Sequence, residues 1–211
     1  MKPRLFTFEE ARTSAPDHSL AVLADWMARY PMSGHADLGR SGAVCPFLKQ
    51  ASRLETLRIG VSDLGEADEE QVFALMRGSF AELETIPAPK GKERLRTIAY
   101  GFPGCNTPKG LAMLRRIDKR HKYYTLARFR MMAFFHPQSE IGGLWNSDFR
   151  PMRAPMPVLG VRYLTEQDSI FAAKHHLMLA PYLLRFGPVG MQRVVAHWRG
   201  KAERHRADVS A

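Results

Sequence analysis

Cysteine is almost missing from this sequence: Cys45 and Cys105 are the only two in 211 residues. Two thiols cannot form a disulfide framework, so a reducing compartment is expected. Long apolar runs are missing too. The densest, Leu177 to Leu184, falls far short of the roughly 20 residues that span a bilayer. The first ten residues, Met1 to Glu10, show no apolar stretch followed by a small-residue cleavage site. The expectation is a cytoplasmic chain that engages no membrane.

Several familiar motifs are missing as well. There is no G-x-x-x-x-G-K-[ST] phosphate loop, no G-x-G-x-x-G after a strand, no H-E-x-x-H, no C-x-x-C and no G-x-S-x-G elbow. Their absence argues against P-loop nucleotide hydrolysis, Rossmann-type cofactor binding, standard zinc sites and α/β-hydrolase chemistry. Acidic residues are scarce beside basic ones: 31 Lys and Arg stand against 21 Asp and Glu, a formal net charge of +10. Lys109, Arg115, Arg116, Lys119, Arg120, Lys122, Arg128 and Arg130 face only Asp118, and Arg193, Arg199, Lys201, Arg204 and Arg206 follow near the end. Such a field attracts anions. A small anionic substrate or an acidic protein partner fits it, with nucleic acid the least favoured. Nothing here sets an oligomeric state.

The hydrophobic fraction of 45% and charged fraction of 25% are ordinary globular usage. The length suits one domain over 1–211. Leu20, Leu23, Trp26, Met27 and Tyr30 predict a helix from Ser19 to about Met32. Alternation predicts a strand from Thr56 to Ser62. Asp68 and Gln71 resemble a capping box ahead of a helix ending before Pro87. Strands follow over Arg94–Phe102, Arg128–His136 and Val158–Leu164. Between the first two lies the basic helix, started by Thr107 as cap and Pro108 at the first turn. Asp168–Phe186 and Val189–Arg206 read as two helices divided by Gly187-Pro188. This order predicts an α+β fold, a largely antiparallel sheet of about four strands with helices on one face.

Two segments carry more specification than their secondary structure needs. In the first, running from His35 to Phe47, Gly39 and Gly42 free the backbone, Arg40 could hold a carboxylate, and Cys45 sits beside positive charge where a thiolate is stabilised. The second holds Phe134-Phe135-His136-Pro137 and then Gly142 to Pro157. His136 and Asp148 are its candidates for acid–base work. Trp145 and Phe149 could wall a pocket, and Arg150 and Arg153 could face anionic groups. The segments Gly34–Phe47 and His136–Pro157 are expected to meet at one pocket that touches both Cys45 and His136.

At Leu38 to Phe47, Phe135-His136-Pro137, Gly143 to Pro151 and Pro155 to Tyr163, the chain resembles an uncharacterised bacterial domain family met often near secondary-metabolite genes. More distantly, through Cys45-Pro46-Phe47 and the order of elements, it is similar to the YqcI/YcgG family, some members of which are heme-dependent enzymes oxidising an amino-acid nitrogen. That likeness implies a heme-b oxidoreductase acting on a small anionic or amino-acid-derived metabolite. Cys45 would then be the iron ligand and His136 the second candidate. Arg40, Phe47, Trp145, Phe149, Arg150, Arg153 and Arg162 would surround the cofactor. Two further readings stand beside it: a non-catalytic basic module that docks an acidic partner, and a cofactor-free enzyme with Cys45 as nucleophile and a histidine base.

Overall fold

The computed structural model describes residues 2–13 and 18–209, with side chains to residue 199. The cations expected at Lys201, Arg204 and Arg206 lie outside the described side chains. The chain divides into two compact units, Met1–His121 with Met132–Arg162, and Lys122–Met131 with Tyr163–Ala211.

The larger unit opens on β1 (Phe6–Thr7) and α1 (Phe8–Arg12). Thr7 accepts the Glu10 N–H while the Glu10 carboxylate accepts the Thr7 N–H, a reciprocal cap. Next come α2 (Ser19–Arg29), α3 (Pro46–Arg53) and β2 (Leu57–Val61). Helix α4 (Glu69–Thr85) crosses over to β3 (Thr97–Gly101), which lies parallel to β2 from Leu57↔Thr97 to Val61↔Gly101. Helix α5 (Pro108–Leu126), β4 (Arg130–Phe135) and β5 (Val158–Tyr163) complete the sheet, with strand order β1-β2-β3-β5-β4. β1 is antiparallel to β2, and β5 to β3. The fold is α+β. Five strands replace the expected four because β1 is a two-residue strand, too short to carry an alternating pattern.

Helices cover both faces of the sheet, which corrects the expected one. β3 is buried at every position, so it has no solvent side. Leu57, Ile59, Ala99 and Val158 join Phe8, Leu20, Leu23, Met27, Phe47 and Ala51 in one core cluster, so α1, α2 and α3 share a face. Tyr100 points the other way, as strand alternation requires, and its hydroxyl donates to Glu82 of α4 at 2.7 Å. Burial at this scale contributes about 1.5–3 kcal/mol for each large apolar side chain.

Helices α4 and α5 also pair their charges. Arg116 holds Glu69 at 2.6 Å, Arg120 holds Glu70 at 3.1 Å and Lys109 lies 3.6 Å from Glu66. Thr107 caps α5 as expected, accepting the Gly110 N–H at 3.0 Å. Asp68 does not cap α4. Its carboxylate accepts the Gly65 N–H and the Gln71 side-chain amide, so the local turn takes both oxygens.

The smaller unit carries α6 (Ser169–Lys174) and α7 (His176–Val209). Leu126, Leu164, Ala172, Met178, Tyr182 and Val194 form its core. The expected division at Gly187 is a kink inside α7, where Gly187 takes φ 53 and ψ −135. A second break falls at His175, in extended backbone. No helix among the described residues is long and apolar enough to cross a membrane.

Candidate functional site

The Gly-rich loop is closed on itself. Ala36–Leu38 make one 3-10 turn that buries Leu38, and Gly39 exits it at φ 75, where only glycine sits without strain. Gly34 bridges to Ala43, and the N–H groups of Val44 and Cys45 donate to Ser33 and Pro31 at 2.9 and 2.7 Å. Arg40 fastens the loop from inside. Its guanidinium donates to the carbonyls of Ser41, Ala43 and Val44 at 2.9, 2.9 and 3.2 Å. Those bonds occupy the donors that sequence reasoning assigned to a ligand carboxylate.

The two specified segments do meet. Asn146 Nδ2 donates to the Asp37 carbonyl at 2.9 Å, and the Tyr30 hydroxyl to the Arg150 carbonyl at 2.9 Å. Phe149 is buried, with its ring 4.8 Å from His35 and 5.9 Å from Tyr30. A Cβ on Gly39 would stand 3.0 Å from the Trp145 Cβ, so the loops touch through backbone there. Arg150 and Arg153 grip Glu140 at 3.0 and 2.6 Å, and these bonds hold its carboxyl below the usual range. Arg150 and Arg153 therefore act as a strap for this segment. Asp148 is exposed, and its N–H donates to the Asn146 side chain in a local turn. Trp145 is half-exposed.

His136 does not join them. Phe135 lies on the α2 face, edge-on to Trp26 at 5.7 Å, so His136 points to the opposite face and stacks on Phe134 at 4.8 Å. Burial, then the nearby Arg115 charge, lower its affinity for a proton. Its Nδ1 is buried without a hydrogen-bond partner among the described residues. Cys45, Trp26 and Phe135 all pack against the core cluster that α1, α2 and α3 share with the sheet. The expected convergence of Cys45 and His136 is thus corrected: the sheet separates them.

On the α2–α3 side of the sheet, β4 and β5 leave a half-covered patch. Ala133, Phe135, Gly160 and Arg162 are all only half-buried. Arg162 holds its guanidinium 4.9 Å above the Phe47 ring. Gly160, on the same side of β5 as Arg162, leaves room: an added Cβ would meet nothing closer than 3.9 Å, the Phe135 ring being one of its neighbours. Cys45 is half-buried, caps α3 by its backbone, and its sulfur has no hydrogen-bond partner among the described residues. Cys105 is the contrast. It is buried, bonded to the Leu64 carbonyl at 3.5 Å, and burial pushes its thiol up to about 11.

For a heme these residues fit in part. Cys45 offers an uncommitted sulfur, Trp26, Phe47 and Phe135 offer aromatic walls, and Arg162 brings positive charge beside Phe47. Arg40, Arg150, Arg153 and His136 do not fit, being committed to backbone, to Glu140 or to the other face. Trp26, Phe135 and Gly160 were missed in the sequence. Gly160 had a signal, since a glycine inside an apolar strand often leaves space that a ligand can fill.

No curated protein and no solved structure matches the chain. The domain of unknown function DUF6875 matches residues 20–197, most of the chain, and the chain belongs to that family.

Proposed function

We propose that the Cys45 patch is the active site of a heme-b-dependent oxidoreductase acting on a small anionic or amino-acid-derived metabolite. The observation that supports it most is Cys45 itself: half-buried, without a hydrogen bond at its sulfur, at the start of α3 and packed against the same core cluster as Trp26 and Phe135. The distant likeness to the YqcI/YcgG family points the same way. Heme bound through a thiolate supplies oxygen activation, because sulfur donation favours O–O cleavage. The chain's own residues do the rest. Cys45 would ligate the iron, Trp26, Phe47 and Phe135 would line the apolar side of the cofactor, and Arg162 would bring positive charge toward a propionate or a substrate carboxylate.

The competing readings have less support. A cysteine nucleophile needs a base, and His136, the histidine assigned to the site, faces the other side of the sheet. A basic docking helix draws on unpaired charge, and pairing with Glu66, Glu69 and Glu70 takes Lys109, Arg116 and Arg120 out of it, leaving Arg115, Lys119 and Lys122.

A hemin titration followed by visible absorption tests the proposal. Saturable binding is expected, with a Soret band distinct from free hemin. Gly160→Leu should abolish it while leaving thermal unfolding unchanged, because the new side chain would fill the open patch. A protein that stays colourless and does not bind hemin ends the proposal, and so does a Gly160→Leu variant that binds as well as the parent.

A further inference from the structure

Helix α7 leaves large apolar side chains exposed both before and after its Gly187 kink. Leu184 is 80% exposed, Val189 51%, Trp198 44%, Met191 43% and Leu177 37%. The same helix buries Met178, Tyr182 and Val194 in the core of its unit. Leu177 and Leu184 stand two turns apart on one side of the segment before the Gly187 kink. Met191 and Trp198 do the same on the segment after it. The Trp198 indole N–H is already satisfied, donating to the Ala173 carbonyl at 3.0 Å, so its exposed part is hydrocarbon.

Charge around these side chains has one sign. No Asp or Glu occurs between Asp168 and Glu203, whereas Lys174, Arg185 and Arg199 are exposed there. Arg193 is taken by Glu166 at 3.0 Å.

We infer that the exposed apolar side chains of α7 dock on an anionic lipid surface. Protruding leucine, valine and methionine side chains flanked by cations suit an interface whose hydrocarbon lies beneath negative headgroups. Each Lys or Arg near such a surface adds attraction, and an acid-free stretch adds no repulsion. A second copy of the chain fits poorly, because pairing α7 with itself would set Lys174, Arg185 and Arg199 against the same cations of the copy. Surface docking requires no spanning helix. The expectation of no membrane contact rested on spanning length alone.

Co-sedimentation of the full chain with vesicles tests it, using phosphatidylcholine alone and phosphatidylcholine with phosphatidylserine. Binding is expected only with phosphatidylserine present, and should weaken as salt rises. Leu184→Asp, and separately Lys174→Ala with Arg199→Ala, should weaken it by about tenfold or more, with thermal unfolding unchanged since these side chains are exposed. Equal binding to both vesicle types, or to neither, overturns the inference. It is also overturned if Leu184→Asp converts a dimer to a monomer in light scattering, or if polyglutamate binds as tightly as the vesicles with the same sensitivity to Leu184→Asp.

Discussion

Arg40 commits its guanidinium to the loop that carries it, donating to three carbonyls immediately ahead of Cys45. An arginine among glycines reads in sequence as an anion site. Yet a Gly-rich loop that folds back on itself also needs donors for its own carbonyls, and here that need prevails. Arg40→Ala should lower stability by about 1–3 kcal/mol in urea unfolding. It should also speed iodoacetamide labelling of Cys45 while leaving Cys105 as slow as before, since Cys105 is buried with its thiol pushed up to about 11. Unchanged labelling of Cys45 would mean that Arg40 does not shape its surroundings. Two candidate arginines, Arg150 and Arg153, misled in the same way: sequence shows a cation but not the partner, here Glu140, that already holds it.

At the scale of elements, most of the pattern was legible. The strands at Leu57–Val61, Thr97–Gly101 and Val158–Tyr163, the basic helix behind Thr107-Pro108 and the break at Gly187 all follow from alternation, capping and proline placement. Helix α3 was hidden because Cys45-Pro46 read as loop, although proline at a first turn also starts helices. Helix α1 was hidden by its length, while its Thr7–Glu10 cap was plain in the sequence. One tight joint makes a strict test. Gly110 enters α5 against the 3-10 turn Pro103–Cys105, where an added Cβ would stand 2.7 Å from the Cys105 Cα and 2.8 Å from its carbonyl carbon. Both are backbone atoms and cannot swing aside. Gly110→Ala should cost about 1–3 kcal/mol in urea unfolding, against the usual gain of alanine over glycine inside a helix. A neutral or stabilising result would contradict this packing.

For the molecule as a whole, sequence carried the fold class but neither the coverage of both sheet faces nor the side on which each candidate residue lies. Face assignment turns on register. Phe135 and His136 are neighbours in sequence, so whichever takes the α2 side sends the other away. Stability against pH follows from a different burial. His121 is fully buried, stacked on Phe73 at 4.2 Å, and burial, then Arg77 and Arg120, push its pKa down to about 4. The unfolded chain takes up that proton at about 6.5, the native state only near 4. The contribution is therefore complete above roughly pH 6.5, falls by about 1.4 kcal/mol per pH unit below it, and is lost once pH drops through about 4. His121→Phe should keep the stack and flatten the slope of urea midpoint against pH in that window. Parallel slopes for variant and parent would show that His121 does not govern it.

The claim at the centre of this account is that Cys45, and not His136, is the chemical group of the site. The absorption spectrum of the reduced, hemin-loaded protein under carbon monoxide tests it most directly, because thiolate-bound and histidine-bound heme absorb at well-separated Soret positions. A thiolate-type band is predicted for the parent, lost in Cys45→Ala and retained in His136→Ala. A histidine-type band that disappears with His136→Ala and survives Cys45→Ala would contradict the account.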